Sequence, residues 1–375
     1  MTSSATKRVP TESLLRRAAH VAHHYGFLPL DGKGSAKATC SLNQLPQQLE
    51  REFAKTYGEF LPIMEGTEPR LFYRIRPGSD SKPTLFSLHI FGAPQSIAEA
   101  VLIKTAVDIL EDLSVENAEV FINGIGDRDS VARFSRELTL YLRKYLDVMP
   151  APAREAMKKD VLMAYTELVR REHEICEGAP SAMQYLTEPA RVHLRSLLET
   201  LDNVGIVYEF DPHIIGHRDC FNKTLFEIRS TDPEAPKVYA RGGRYDELGK
   251  RIFRSSLPAA GIVLEFETTG KKIPEKIAYR GGKPKVCFIQ LGLEAKMRSL
   301  LVLDELRRAR IPLYQTLYHE RLTEQLETAE SLKVPFTIIM GYREALAGAV
   351  IVRNMETRAQ ETVSINSLGT YLKSL

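Results

Sequence analysis

Between residues 205 and 267 four apolar stretches follow one another, "GIVYEFDPHI", "KTLFEIRS", "KVYARGG" and "PAAGIVLEFE", with no helical period among them. Parallel strands need crossover connections of a dozen or more residues, so strands in direct succession predict an antiparallel sheet. The third stretch runs into "ARGGRYDEL" (240–248), with Gly242 and Gly243 side by side. Paired glycines leave room for a ligand or a neighbouring chain to approach the backbone closely. On the residues alone two readings stand: a Gly-Gly strand end with Tyr245 packed in the core, or the floor of a pocket.

Upstream, "RLFYRIRP" and "PTLFSLHIFG" (70–77 and 83–92) are joined by "GSDSK" and predict an antiparallel hairpin. A helix is predicted over 96–113 and a strand over 119–126, "EVFINGIG". Residues 11–25 repeat apolar positions at helical spacing, with Thr11 as N-cap and Gly26 as stop. Residues 31–66 read as irregular, with a helical stretch near 46–57. From about 129 to 204 three stretches with i, i+3, i+4 periodicity predict a helical insertion; the second, "PAREAMKKDVLMAYTELVRREHEIC", reads as one long helix.

The polar, Gly-, Pro- and Lys-rich run 268–284 divides this body from the rest. Beyond it strand and helix alternate through "KVCFIQLG", "PFTIIMG" and "AVIVRNM", which predicts a small α/β domain over 285–375 with a mixed, mostly parallel sheet. The expected organisation is a core over 1–267, a linker over 268–284 and that domain.

Composition excludes some classes. The 51 basic and 48 acidic residues nearly balance, so the net charge of +3 does not demand nucleic acid. Cys40, Cys176, Cys220 and Cys287 form no CxxC pair, which argues against a disulfide framework and a thiolate zinc site. The N-terminus lacks an apolar h-region and no run approaches 18 apolar residues, so the expectation is a soluble, cytoplasmic protein without a membrane segment. His20, His23 and His24 share helical spacing but have no evident carboxylate or cysteine partner, and no metal is expected there. "REHEIC" lacks the HExxH spacing and "GKGSAK" lacks the P-loop ending.

"KTLFEIRS…KVYARGGRYDEL…PAAGIVLEFE" resembles the catalytic core of the histidyl-tRNA synthetases, a class II family, and "MGYREALAGAVIVRNMETRAQETVSINSLGTYL" resembles the last part of their anticodon-binding domain. The resemblance runs from about residue 70 onward and is weak before residue 60. It implies an α+β fold: a class II antiparallel sheet flanked by helices, a helical insertion and a C-terminal α/β domain. It also implies a homodimer and a tRNA-facing C-terminal domain. Its substrate-pocket positions fall on His89, Asp219, Phe221, Glu227, Gly242, Gly243, Arg244 and Tyr245.

The departures from the family pattern fall on the chemistry. Amino-acid activation gathers negative charge at the α-phosphate of ATP, and cations and donors must meet it. Family members open an Arg-Gly-Leu-Asp-Tyr-Tyr segment with an arginine. Here the segment reads "GHRDCFNKTLFE", with Gly216 at the arginine position, Asp219 kept, and Cys220 and Phe221 for the two tyrosines. Strand alternation puts Arg218 on the same face as Gly216, displaced by roughly 6–7 Å. The third motif, "AAGIVLEFET", has Thr268 in place of its arginine and Glu265 in place of a glycine. Arg74 and Arg76 are the candidates for the second-motif arginine, and His89 stands at a glutamate position. In the C-terminal domain the family's lysine-rich helix reads "RLTEQLETAESLK", with Glu324, Glu327 and Glu330, which weakens phosphate binding. Arg307, Arg308 and Arg310 read as cations complementing a helix C-terminus.

The resemblance therefore implies a paralogue that has lost histidine activation and serves as a binding or regulatory protein, with tRNA or a protein as partner. Two alternatives remain: a divergent active histidine–tRNA ligase, which would use ATP and Mg, and a regulatory subunit like that of ATP phosphoribosyltransferase.

Overall fold

The structure, a computed structural model, describes residues 11–30, 46–63, 69–78, 82–217, 219–267, 283–315 and 321–375. In chain order the elements of the body are α1 (Thr11–His24), β1 (Leu28–Pro29), α2 (Pro46–Phe60), β2 (Arg70–Arg76), β3 (Thr84–Phe91), α3 (Ile97–Asp112), β4 (Ala118–Gly126), α4 (Arg128–Arg143), α5 (Ala151–Met157), α6 (Val161–Arg170), α7 (Glu188–Asn203), β5 (Tyr208–Phe210), β6 (Asn222–Ser230), β7 (Val238–Arg244), α8 (Asp246–Phe253) and β8 (Ala259–Phe266). The C-terminal elements are β9 (Val286–Gln290), α9 (Gly292–Arg308), β10 (Leu313–Gln315), α10 (Leu322–Ser331), β11 (Phe336–Met340), α11 (Tyr342–Ala347), β12 (Ala349–Asn354), β13 (Gln360–Ser364) and α12 (Ile365–Ser374).

The body is an eight-stranded sheet in the order β1-β2-β3-β8-β7-β6-β4-β5, antiparallel except for the short edge pairs β1–β2 and β4–β5. Period-2 alternation sorts its side chains. Tyr73, Leu88, Ile90, Phe226, Ala240 and Ile262 face the back, where α1, α3 and α7 close the core. Leu85, Phe91, Leu225 and Val263 face the front, with Phe53, Tyr57 and the insertion helices. Helix α3 is buried nearly all round because the sheet, α1, α7 and the C-terminal α9 all pack on it.

Several local expectations change. Thr11 lies in the first turn of α1, where its hydroxyl donates to the Glu267 carbonyl at 2.8 Å rather than capping the helix; Gly26, at φ +89°, ends the turn as expected. The long helix over 152–176 is two, α5 and α6, because the Asp160 carboxylate caps a fresh N-terminus by accepting from Leu162 N at 2.8 Å. The strand expected through "GIVYEFDPHI" shrinks to β5, since Pro212 cannot donate to a ladder and Asp211 turns the chain by accepting from His213 N. Helix α8 interrupts the supposed unbroken run of strands; eight residues are too few for a readable period.

The C-terminal sheet runs β10-β9-β11-β12-β13. It is mixed: β9 pairs in parallel with β10 and β11, whereas β12 pairs antiparallel with β11 and β13, so the parallel share is half rather than most. The two parts of the chain meet through charge as well as apolar packing. Lys104 Nζ reaches Asp108 at 2.5 Å and Asp304 at 2.9 Å, Arg307 Nε reaches Asp108 at 2.9 Å, and the Tyr25 hydroxyl donates to Asp108. Among the described residues no helix is long and apolar enough to cross a membrane.

Candidate functional site

The strand register lays two rows of side chains across the front of the large sheet. One runs Phe72–His89–Gly261–Gly243–Leu225–Asn123, the other Arg74–Ser87–Val263–Arg241–Glu227–Phe121. Most of the residues singled out by the sequence therefore share one face.

That face is covered by α2, the helical stretch expected near 46–57, whose place over the site was not expected. Phe53 stacks on Tyr245 with centroids 4.5 Å apart and meets His89 and Phe221 edge-on at 5.3 and 5.9 Å. Phe60 stacks on Phe91 at 4.0 Å, and Tyr57 stacks on Phe253 at 5.1 Å. The signal was present: Phe53, Tyr57 and Phe60 stand at i, i+4, i+7, the spacing of a helix face that must be buried. The same helix carries two carboxylates to the two candidate arginines. Glu59 pairs with Arg74, whose Nη2 donates to Oε1 at 3.0 Å, and Glu52 pairs with Arg76. Burial pushes the Glu52 carboxyl above its ordinary value, against the pull of Arg76 and Arg74.

Tyr245 is fully buried, and its hydroxyl lies 2.9 Å from His89 Nδ1. Burial first, then Arg74 and Arg76, lowers the His89 pKa to about 3, so the ring is neutral. Its Nε2 and the Ser87 hydroxyl are buried with no hydrogen-bond partner among the described residues. The glycines face protein: a Cβ on Gly242 would lie 2.4 Å from the Gly261 carbonyl and 2.6 Å from the Phe226 ring, and one on Gly243 2.7 Å from Leu225. A Cβ on Gly216 would lie 2.5 Å from the Phe221 ring. Cys220 N and Phe221 N both donate to the His217 carbonyl, so strand alternation does not hold for the described residues 219–221. Arg218 and Thr268 lie outside the described residues.

The remaining candidates fall away from this centre. Arg244 points to the back, fully buried, with Nε and Nη2 on Glu99 at 2.8 and 2.5 Å and further donations to the Ala93 and Gln95 carbonyls. Burial works against the Glu99 charge, but Arg244 and His193 outweigh it and hold the carboxyl well below the usual range. Glu227 is buried between Arg241 and Arg229, with Arg229 Nε at 2.6 Å, and Arg229 also reaches Asp211 at 2.5 Å. Asp219 is exposed beside His217 and faces a separate cleft. His24 binds the Leu303 carbonyl at 2.8 Å; among the described residues no three His, Cys, Asp or Glu side chains converge as metal ligands.

Comparison with known proteins places this geometry. Residues 285–375 match the Anticodon binding domain family. A histidine–tRNA ligase of Fervidobacterium nodosum is 30% identical over 309 residues, spanning 80% of this chain and 73% of that protein. One of Halothermothrix orenii is 28% identical over 334 residues, spanning 86% and 78%. The solved apo S. aureus histidyl-tRNA synthetase shares the fold, with a TM-score of 0.52 at 16% identity, covering 100% of this chain and 99% of that one. The chain belongs to the histidine–tRNA ligase family.

Proposed function

We propose that this chain is a family member that does not activate histidine and acts by binding, using the class II body and the anticodon-binding domain as its surfaces. The observation that carries the reading is α2: its Glu52 and Glu59 neutralise Arg76 and Arg74 while its Phe53 fills the space over Tyr245 and His89. In the family pattern those arginines would receive the phosphates and that space the amino acid. Gly216 supports the same reading, because its Cβ direction is closed by Phe221 and an arginine has no room there. Loss of one such donor typically costs about 10²–10³ in rate.

The face does not fit a magnesium–triphosphate: its two candidate cations are already paired, and its floor is covered by aromatic rings. The exposed side of α10 carries Glu324, Glu327 and Glu330, so phosphate binding by this helix is weak and the C-terminal domain contacts its partner elsewhere. The body is assigned the family's homodimeric role. Calorimetric titration of the full chain with histidine and with ATP, each to millimolar concentration, tests the proposal. No heat of binding is expected; saturable binding of either compound overturns it.

A further inference from the structure

Beside the aromatic cover lies a cleft of about 160 Å³, walled by α6, the 213–216 turn and strands β6 and β7. Leu49 of α2 closes one side, and Phe221 lies between the cleft and the ring of Phe53. Val169, Ile215 and Leu225 give it an apolar wall; Arg241, His213 and Glu227 give it a polar one.

The polar wall has donors to spare. Arg229 is spent on Glu227 and Asp211 and lies over the Phe121 ring. The exposed Arg170 is spent on Glu167 through two nitrogens. Among the described residues Arg241 has one partner, Glu227 through Nε, which leaves both terminal nitrogens open as a planar fork. His213 Nδ1 lies 2.8 Å from the Tyr165 hydroxyl. The tautomer that accepts from that hydroxyl carries its proton on Nε2 and adds another donor to the same wall. Both oxygens of Glu227 are already held by arginines, so its charge is compensated and it gives an ammonium group little net attraction.

We propose that this cleft is a binding site for a small monocarboxylate with a short branched tail and no amino group. Arg241 takes the carboxylate in a two-pronged hydrogen bond, His213 supports it, and the tail lies on Val169 and Ile215. At roughly 30 Å³ per water the cleft holds about five water volumes, which sets the ligand at about five or six non-hydrogen atoms. Gly216, Phe221 and Glu227 of this cleft stand at family substrate positions, so the inference rests on the reading that the chain does not take histidine.

The test uses the full chain and ligand-observed NMR titration with isobutyrate, beside the neutral isobutyramide and the amine-bearing valine. Isobutyrate is expected to bind in the high-micromolar to millimolar range, with isobutyramide and valine weaker by tenfold or more. Arg241→Gln is expected to weaken isobutyrate at least tenfold. Val169→Phe, which fills the apolar wall and keeps the Arg241 pair, is expected to abolish binding and remains informative if Arg241→Gln fails to fold. Absence of isobutyrate binding, equal binding of isobutyramide or valine, or unchanged affinity in Val169→Phe would overturn the assignment.

Discussion

Phe53 of α2 lies on the ring of Tyr245 at 4.5 Å, and Tyr245 in turn holds His89 at 2.9 Å. A helix from the weakly recognisable N-terminal part of the chain thus closes the face on which the family's sequence landmarks converge. Phe53→Ala removes the centre of this cluster and is expected to cost about 3–5 kcal/mol, the range for a buried phenylalanine truncation. Urea denaturation measures it; a cost under about 1 kcal/mol would mean that α2 lies loosely on the sheet.

Ser87 gives the opposite expectation. Its hydroxyl is buried on the same face without a hydrogen-bond partner among the described residues. An unsatisfied buried hydroxyl costs roughly 1–3 kcal/mol, so Ser87→Ala is expected to be neutral or stabilising in thermal unfolding. A clear loss of stability would reveal a partner for that hydroxyl.

How much of this was legible in sequence depended on range. Strands β2, β3, β4, β6, β7 and β8 follow from alternation; the resemblance put Gly-Gly-Arg-Tyr-Asp among the pocket positions, and the register sets Gly243 level with Leu225 and Gly261. The pairing of Glu52 and Glu59 with Arg76 and Arg74 was not legible. Two carboxylates two turns apart on a helix meet two arginines two residues apart on a strand, and only the packing angle brings them together. Arg244 shows the same limit from the other side: within "GGRYD" it looks like a pocket residue, yet alternation turns it away from Gly243 onto Glu99.

Arg244 therefore belongs to stability. Arg244→Met would take away the arginine of this buried pair and leave Glu99, at a site with no solvent exposure, to His193 and Thr224. Breaking such a buried pair costs about 3–5 kcal/mol, measurable as a lower urea midpoint. Unchanged stability would return Arg244 to the list of ligand contacts.

Two buried histidines set an acid limit. His89 and His24 are lowered by burial to about 3 and about 4. The unfolded chain takes up these protons near pH 6.5, the folded chain only well below it. Their contribution is therefore intact above the unfolded value and is withdrawn as the pH falls toward 4 and then 3, by about 1.4 kcal/mol per unit for each ring. His89→Gln is expected to flatten the fall in the urea midpoint between neutral and mildly acid pH; an unchanged slope would place the proton uptake elsewhere.

Histidine-dependent ATP–pyrophosphate exchange on the purified full chain, beside its Tyr245→Phe variant, tests the central claim most directly. With Arg74 and Arg76 held by α2 and Gly216 backed by Phe221, no exchange above the protein-free background is predicted, with histidine or any other amino acid. Exchange above that background, falling in Tyr245→Phe, would contradict the account and mean that α2 leaves the face during turnover.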